Sequence, residues 1–184
     1  MFHLLIIGAV VVLVLLLWVV SVYNRIIRLE NAIDNAWAQI DVQLKRRADL
    51  IPNLVNTVKG YAAHEKTVLE NVTAARAALM NAPNPGAAME ADNMLTAALG
   101  RLFAVAEAYP DLKANQNFLQ LQDELTHTEN KVGFARQYYN DSVLAFNNAI
   151  ETFPGNLVAG GMGRKERRML EIPPPDREVP KVQF

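Results

Sequence analysis

Cysteine is absent from the 184-residue chain, which excludes disulfides and thiolate zinc sites. Histidine is scarce: His3, His64 and His127 stand far apart. Surplus charge is lacking as well. The formal net charge is −1, so no overall basic field exists to attract nucleic acid or an acidic membrane. No nucleic-acid partner is expected. No G-x-S-x-G elbow is present to carry a serine nucleophile. The stretch Gly160–Lys165 lacks both phosphate-loop spacing and a preceding strand. No β-alternation rivals the helical patterns described below.

What the chain does have is a long apolar run at its start. From Leu4 to Val22 it reads LLIIGAVVVLVLLLWVVSV, 19 residues without a charge. As a helix this run measures roughly 28 Å, close to the roughly 30 Å hydrocarbon core of a bilayer. Trp18 and Tyr23 lie toward one end, where interfacial aromatic residues are expected. A cleaved signal peptide fits worse, because no Lys or Arg precedes the run and no A-x-A-like site follows it. Residues 1–23 therefore read as a transmembrane anchor. Arg25, Arg28, Lys45, Arg46 and Arg47 all follow it. The positive-inside rule then places the N-terminus outside and the large domain in the cytoplasm.

Residues 24–154 carry helical periodicity almost throughout. Ile26, Ile33 and Ile40 recur at intervals of seven, as do Trp37, Leu44, Ile51 and Val58 on the adjacent stripe. No breaker separates them from the anchor, so one long helix is predicted to run from the membrane into the body. A second helix is marked by Val68, Val72, Ala75 and Leu79, with Thr67–Glu70 matching a capping box. The segment Asn81–Gly86 breaks the pattern. A third helix follows on Leu95, Leu99, Leu102 and Ala106 and stops before Pro110. The fourth has Phe118, Leu125, Val132, Tyr139, Phe146 and Phe153 at intervals of seven. Beside them Leu121, Thr128, Ala135, Ser142 and Ala149 are mostly small, which lets a neighbouring helix approach. The expected fold is all-α: a transmembrane helix continuing into an up-and-down four-helix bundle with two long and two shorter helices. Residues 155–184 are rich in glycine and proline and read as an extended C-terminal tail.

The stretch RRADLIPNL, residues 46–54, interrupts the first body helix with charge and proline. Ile33, Ile40, Arg47 and Leu54 share one line, so Arg47 stands where an apolar residue is due. On the fourth helix Gln122, Glu129 and Arg136 make the first half of another line polar. Two readings follow. Arg47, Glu129 and Arg136 form a structural polar layer in which Arg47 pairs with Glu129 or another carboxylate, because an unpaired buried charge is very costly. Alternatively, Arg47 lies at the stripe edge and extends its head to water. Pro52 removes one helical hydrogen bond and is expected to bend the helix.

The run YNRIIRLENAIDNAWAQIDVQLKRRADLIPNLVNTVKGYAAHEK closely resembles the first part of LemA family proteins. So do FARQYYNDSVLAFNNAIETFPGNL and the closing EVPKVQF. The resemblance covers nearly the whole chain. It departs where LemA proteins carry an aromatic-rich segment after the FPGNL-like string, since this chain has GGMGRKERRMLEIPPPD there. The resemblance implies a bacterial inner-membrane protein with a helical-bundle domain, in a family that includes relatives in magnetosome-membrane biogenesis. It implies no reaction.

Other candidates resolve to packing or solvent. Glu124 and His127 form a single E-x-x-H, but a di-iron bundle needs a second one and two further glutamates. Tyr138–Tyr139 suggests an aromatic ligand site, yet Tyr139 belongs to the heptad line and is assigned to the core. Arg164, Lys165, Arg167 and Arg168 form a basic cluster that either contacts anionic lipid headgroups, at roughly 1 kcal/mol per residue, or is a solvated linker. No cofactor, metal or catalytic set is expected. The function expected is a non-enzymatic, self-associating scaffold at the inner membrane, with an adaptor for another membrane-protein complex as the alternative. Its partners would be the lipid bilayer, further copies of the chain and a membrane protein.

Overall fold

The computed structural model describes residues 1–171. Six α-helices and no strand occur among them, which makes the fold all-α. Helix α1 spans Phe2–Lys59 and α2 spans Lys66–Met80. Next come α3, Pro85–Ala106, and the single turn α4, Pro110–Lys113. Helix α5 covers Gln116–Glu151, and α6 covers Gly155–Met162. The two long and two shorter helices expected from periodicity are α1, α5, α2 and α3. The two short helices α4 and α6 were not foreseen.

Polar side chains fix several helix starts. The Asn84 side chain accepts from the backbone N–H of Ala87 at 2.9 Å, with Pro85 in the first turn of α3 where its missing N–H costs nothing. Asn115 does the same for α5, accepting from Phe118 N–H at 3.0 Å. The capping box expected at Thr67–Glu70 does not form. Helix α2 begins two residues earlier, after Glu65, whose side chain makes no cap bond and instead accepts from the Tyr109 hydroxyl at 3.1 Å.

The described residues divide into two compact units. One comprises Met1–Ala36 and Gln137–Met169, and the other Trp37–Arg136 together with residues from Leu170 onward. In the second unit Leu44, Ile51, Leu54 and Val58 of α1 are buried, as are Val72 and Leu79 of α2. Leu95, Leu99 and Leu102 of α3 and Phe118, Leu125 and Val132 of α5 complete that core. The Phe103 and Phe118 rings meet edge-on with centroids 6.0 Å apart. Helices α2 and α3, joined by four residues, pack on one another. In the first unit Ile26 and Ile33 of α1 face a core that includes Tyr139, Val143, Phe146 and Ile150 of α5.

The start of α1 is a different environment. It is long and apolar enough to cross a membrane, and none of its most apolar window is buried against the chain. Large apolar side chains left bare in this way give the protein a membrane location.

Two expectations need correction here. Phe153 is not a core residue: α5 ends at Glu151, and Phe153 is 73% exposed in the corner that follows. The segment from Gly155 is not extended, because residues 155–162 are helical. Glycine disfavours helix by only about 1 kcal/mol per residue, and packing outweighs that here. Gly155 and Ala159 are buried against the unit. Gly155 also sits so close to α5 that a Cβ would lie 1.8 Å from the Ala149 carbonyl oxygen, so no larger residue fits. Gly163, at φ 66°, closes α6 in the left-handed conformation, and Arg164 N–H bonds back to Ala159 O at 3.1 Å. Residues 164–171 have no regular structure, and the remaining tail, residues 172–184, lies outside the described residues.

Candidate functional site

The second unit contains a buried charge cluster. Arg47 is 1% exposed, which decides between the two readings of its position: its head does not reach water. Its Nη1 donates to Asp92 Oδ1 at 2.7 Å. Its Nη2 lies 3.5 Å from Glu129 Oε2. The second oxygen of Asp92 faces Arg136 Nη2 at 3.6 Å. Helices α1, α3 and α5 are thus linked by one carboxylate shared between two guanidinium groups, with Glu129 at the rim. Formal charges balance, two positive against two negative.

The principal partner of Arg47 is therefore Asp92, not the expected Glu129. Asp92 is 3% exposed, whereas 49% of the Glu129 side chain meets solvent. The deeper carboxylate gains more from the guanidinium because less water competes for it. Asp92 was overlooked, although its signal was present. It stands three residues before Leu95 and seven before Leu99, on the apolar stripe of α3, the same kind of substitution that exposed Arg47. The cluster does not satisfy every donor. Among the described residues, Nε of Arg47 and Nε of Arg136 are buried without an acceptor, and Oε1 of Gln43 is buried without a donor. Each such group costs roughly 1–3 kcal/mol.

The proline beside it has a local consequence. Pro52 has no N–H, so the Ala48 carbonyl, four residues earlier, loses its helical donor. Arg76 of α2 supplies one: its Nε donates to Ala48 O at 2.8 Å. Helix α1 continues through Pro52. The sequence RRADLIPNL thus places a buried cation and a free carbonyl one residue apart, and α3 and α2 respectively answer them.

The basic cluster after α6 is divided. Arg164 and Arg167 lie 3.0 and 3.1 Å from the two carboxylate oxygens of Glu30. The Asn147 side chain further holds the Arg167 backbone, accepting from its N–H and donating to its carbonyl, both at 2.9 Å. Lys165 and Arg168 are exposed. In the E-x-x-H, His127 is exposed and Glu124 borders an open groove of about 460 Å³. Half of its lining residues carry side-chain amides: Asn53, Asn56, Asn117 and Gln120. It offers hydrogen-bond donors and acceptors side by side. Among the described residues no group of three or more metal-ligating side chains converges. Tyr139 is buried and Tyr138 exposed, so the two tyrosines do not form one site.

A model of the LemA family matches residues 36–184, which include all four members of the charge cluster. The chain belongs to the LemA family. Over 137 residues it is 31% identical to Protein LemA of Metamycoplasma hominis, covering 74% of this chain and 63% of that one. It is 23% identical over 178 residues to Magnetosome protein MamQ 2 of Paramagnetospirillum magneticum, covering 83% and 65%. Magnetosome protein MamQ of Magnetospirillum gryphiswaldense is also 23% identical, over 163 residues, covering 74% and 60%. The LemA-family chain thus spans less than two thirds of the length of each of these relatives.

Proposed function

We propose that this LemA-family protein is a non-enzymatic, single-pass organiser of the bacterial inner membrane that associates with copies of itself. Its N-terminus lies outside and its helical body in the cytoplasm. The observation that carries this reading is Phe134. It is 74% exposed on the outward line of α5, between His127 and Asp141 at intervals of seven. A bare aromatic ring on a rigid helix is the kind of residue that anchors protein contacts. Membrane attachment adds to it, because copies held in one plane meet at raised effective concentration. The charge cluster serves this role by setting register. Sliding α5 or α3 by one turn would bury Arg47 or Asp92 against apolar side chains, at a cost far above that of a mismatched leucine. The outward face is then presented in one geometry.

The test is the mass of the full chain in detergent, measured by light scattering. An oligomer is expected, and Phe134→Asp should shift it toward monomer without loss of helix content. A monomeric wild type would overturn self-association. The amide-lined groove favours the second reading, an adaptor for another membrane-protein complex, since its donors and acceptors suit an exposed backbone segment of a partner. In that case the wild type is monomeric, and substitution of Asn56 and Gln120 abolishes co-purification of a defined partner from native membranes.

A further inference from the structure

The corner between α5 and α6 stands beside the apolar run of α1. The Phe153 ring lies 6.3 Å from that of Trp18, tilted at 48°. Trp18 belongs to the run, with Val19, Val20, Ser21 and Val22 still to come before it ends. Those residues amount to roughly 6 Å of helix. The same corner borders a cleft of about 300 Å³ that it shares with Val22, Arg25, Ile26 and Leu29 of α1. Phe153 is therefore level with the final turn of the run rather than beyond it.

At that level the corner shows its apolar side chains outward. Phe153 is 73% exposed and Leu157, four residues later, is 68% exposed. No charged residue occurs in α6. The charges that follow lead away from this level, because Arg164 and Arg167 bind Glu30. Glu30 lies eight residues past Val22, roughly 12 Å farther along α1. The corner thus bares Phe153 and Leu157 beside the run, flanked by the exposed polar residues Glu151, Thr152 and Asn156, and turns basic where it leaves it. Arg25, three residues past Val22, stands between the two levels and makes no ion pair among the described residues.

We propose that the α5–α6 corner is a second membrane contact, with Phe153 and Leu157 entering the bilayer interface beside Trp18. This rests on the reading of α1 as a membrane span. Elements of this kind lie in the interface with their apolar side chains below the headgroups and their charges above. Arg25 then stands at the depth of the lipid phosphates. Held at two points on α1 and the corner, the first unit is fixed in its tilt against the bilayer instead of turning freely on one helix.

The absence of cysteine makes single-site labelling unambiguous. Full-length chains carrying Leu157→Cys, Val14→Cys or Asn93→Cys, each with a nitroxide, are reconstituted in phosphatidylcholine–phosphatidylglycerol vesicles. Collision rates with oxygen and with a water-soluble nickel chelate are then compared. The Leu157 label should fall between the other two, with nickel collisions clearly rarer than at Asn93 and more frequent than at Val14 in mid-span. If Val14 is shielded while Leu157 meets nickel as often as Asn93, the corner stands in water and the proposal fails although the span holds. If Val14 is itself as accessible as Asn93, the span reading has failed and the corner contact falls with it. Leu157 makes little packing in the chain, so its label leaves the core intact, and circular dichroism of each variant checks this.

Discussion

Replacing Asp92 by alanine would leave Arg47 and Arg136 facing one another with no buried carboxylate between them. Stranding a buried charge costs about 3–5 kcal/mol, so Asp92→Ala should lower stability in urea unfolding by an amount in that range. Glu129→Ala removes a half-exposed partner and should cost about 0–1 kcal/mol. The double change Arg47→Met with Asp92→Leu should recover part of the loss and not all, because Arg136 still loses its neighbour. Equal costs for Asp92→Ala and Glu129→Ala would restore Glu129 as the principal partner. Tyr109 supplies a pH dependence. Its hydroxyl donates to Glu65, and this bond, then desolvation, then the Glu65 charge raise its pKa above 10.0. A raised folded-state pKa means stability that is complete below the unfolded value and lost as pH rises through the folded value. Tyr109→Phe should therefore flatten the fall in unfolding midpoint as pH rises above roughly 10. Tyr139, whose burial also raises its pKa, keeps part of that fall in both proteins. Of these residues Arg47 was legible from its place in a line of isoleucines and leucines. Asp92 obeyed the same rule but lies on a shorter helix, where fewer repeats make the exception stand out less.

Among the helices, α1 shows how a breaker is accommodated. The chain does not stop at Pro52, because the carbonyl it frees at Ala48 is taken up by Arg76. Removing that donor by Arg76→Met should cost about 1–3 kcal/mol, the penalty of a buried unsatisfied carbonyl. In a Pro52→Ala background the same change should cost less, since the new backbone N–H restores the helical bond to Ala48. A double-mutant cycle by chemical denaturation measures this coupling; additive costs would mean that the two residues act independently. The proline was visible in the sequence and its missing hydrogen bond followed from it. The donor was not visible, because Arg76 is 28 residues away from Ala48 and reads as one more polar residue of α2. Helix α6 is the reverse case: its glycines argue locally for an extended segment, while burial of Gly155 and Ala159 holds them in a helix.

The molecule as a whole joins a membrane run to a helical body, and its orientation is testable directly. With Asn93→Cys as the one thiol, a membrane-impermeant maleimide should fail to label intact spheroplasts and should label them after lysis. Labelling without lysis would put the body outside and contradict the asymmetry of Arg25 and Arg28. Arg164 and Arg167 are engaged by Glu30 and offer less charge to anionic lipid than a free cluster would. Lys165 and Arg168 remain exposed for such contact.

The all-α class, the membrane run, the long first and fourth helices and the apolar lines along them were determined by the sequence alone. Periodicity is a property of neighbouring residues, and a helix repeats its faces whatever it packs against. The structure decided what depends on residues distant along the chain. It paired Arg47 with Asp92 rather than Glu129, capped Ala48 from another helix, and tied Arg164 and Arg167 to Glu30. It also left Phe153, the last residue of its heptad line, exposed beyond the end of α5. Each of these is a choice among several partners of suitable charge or shape, and only burial and distance, which exist once the helices are packed, discriminate between them.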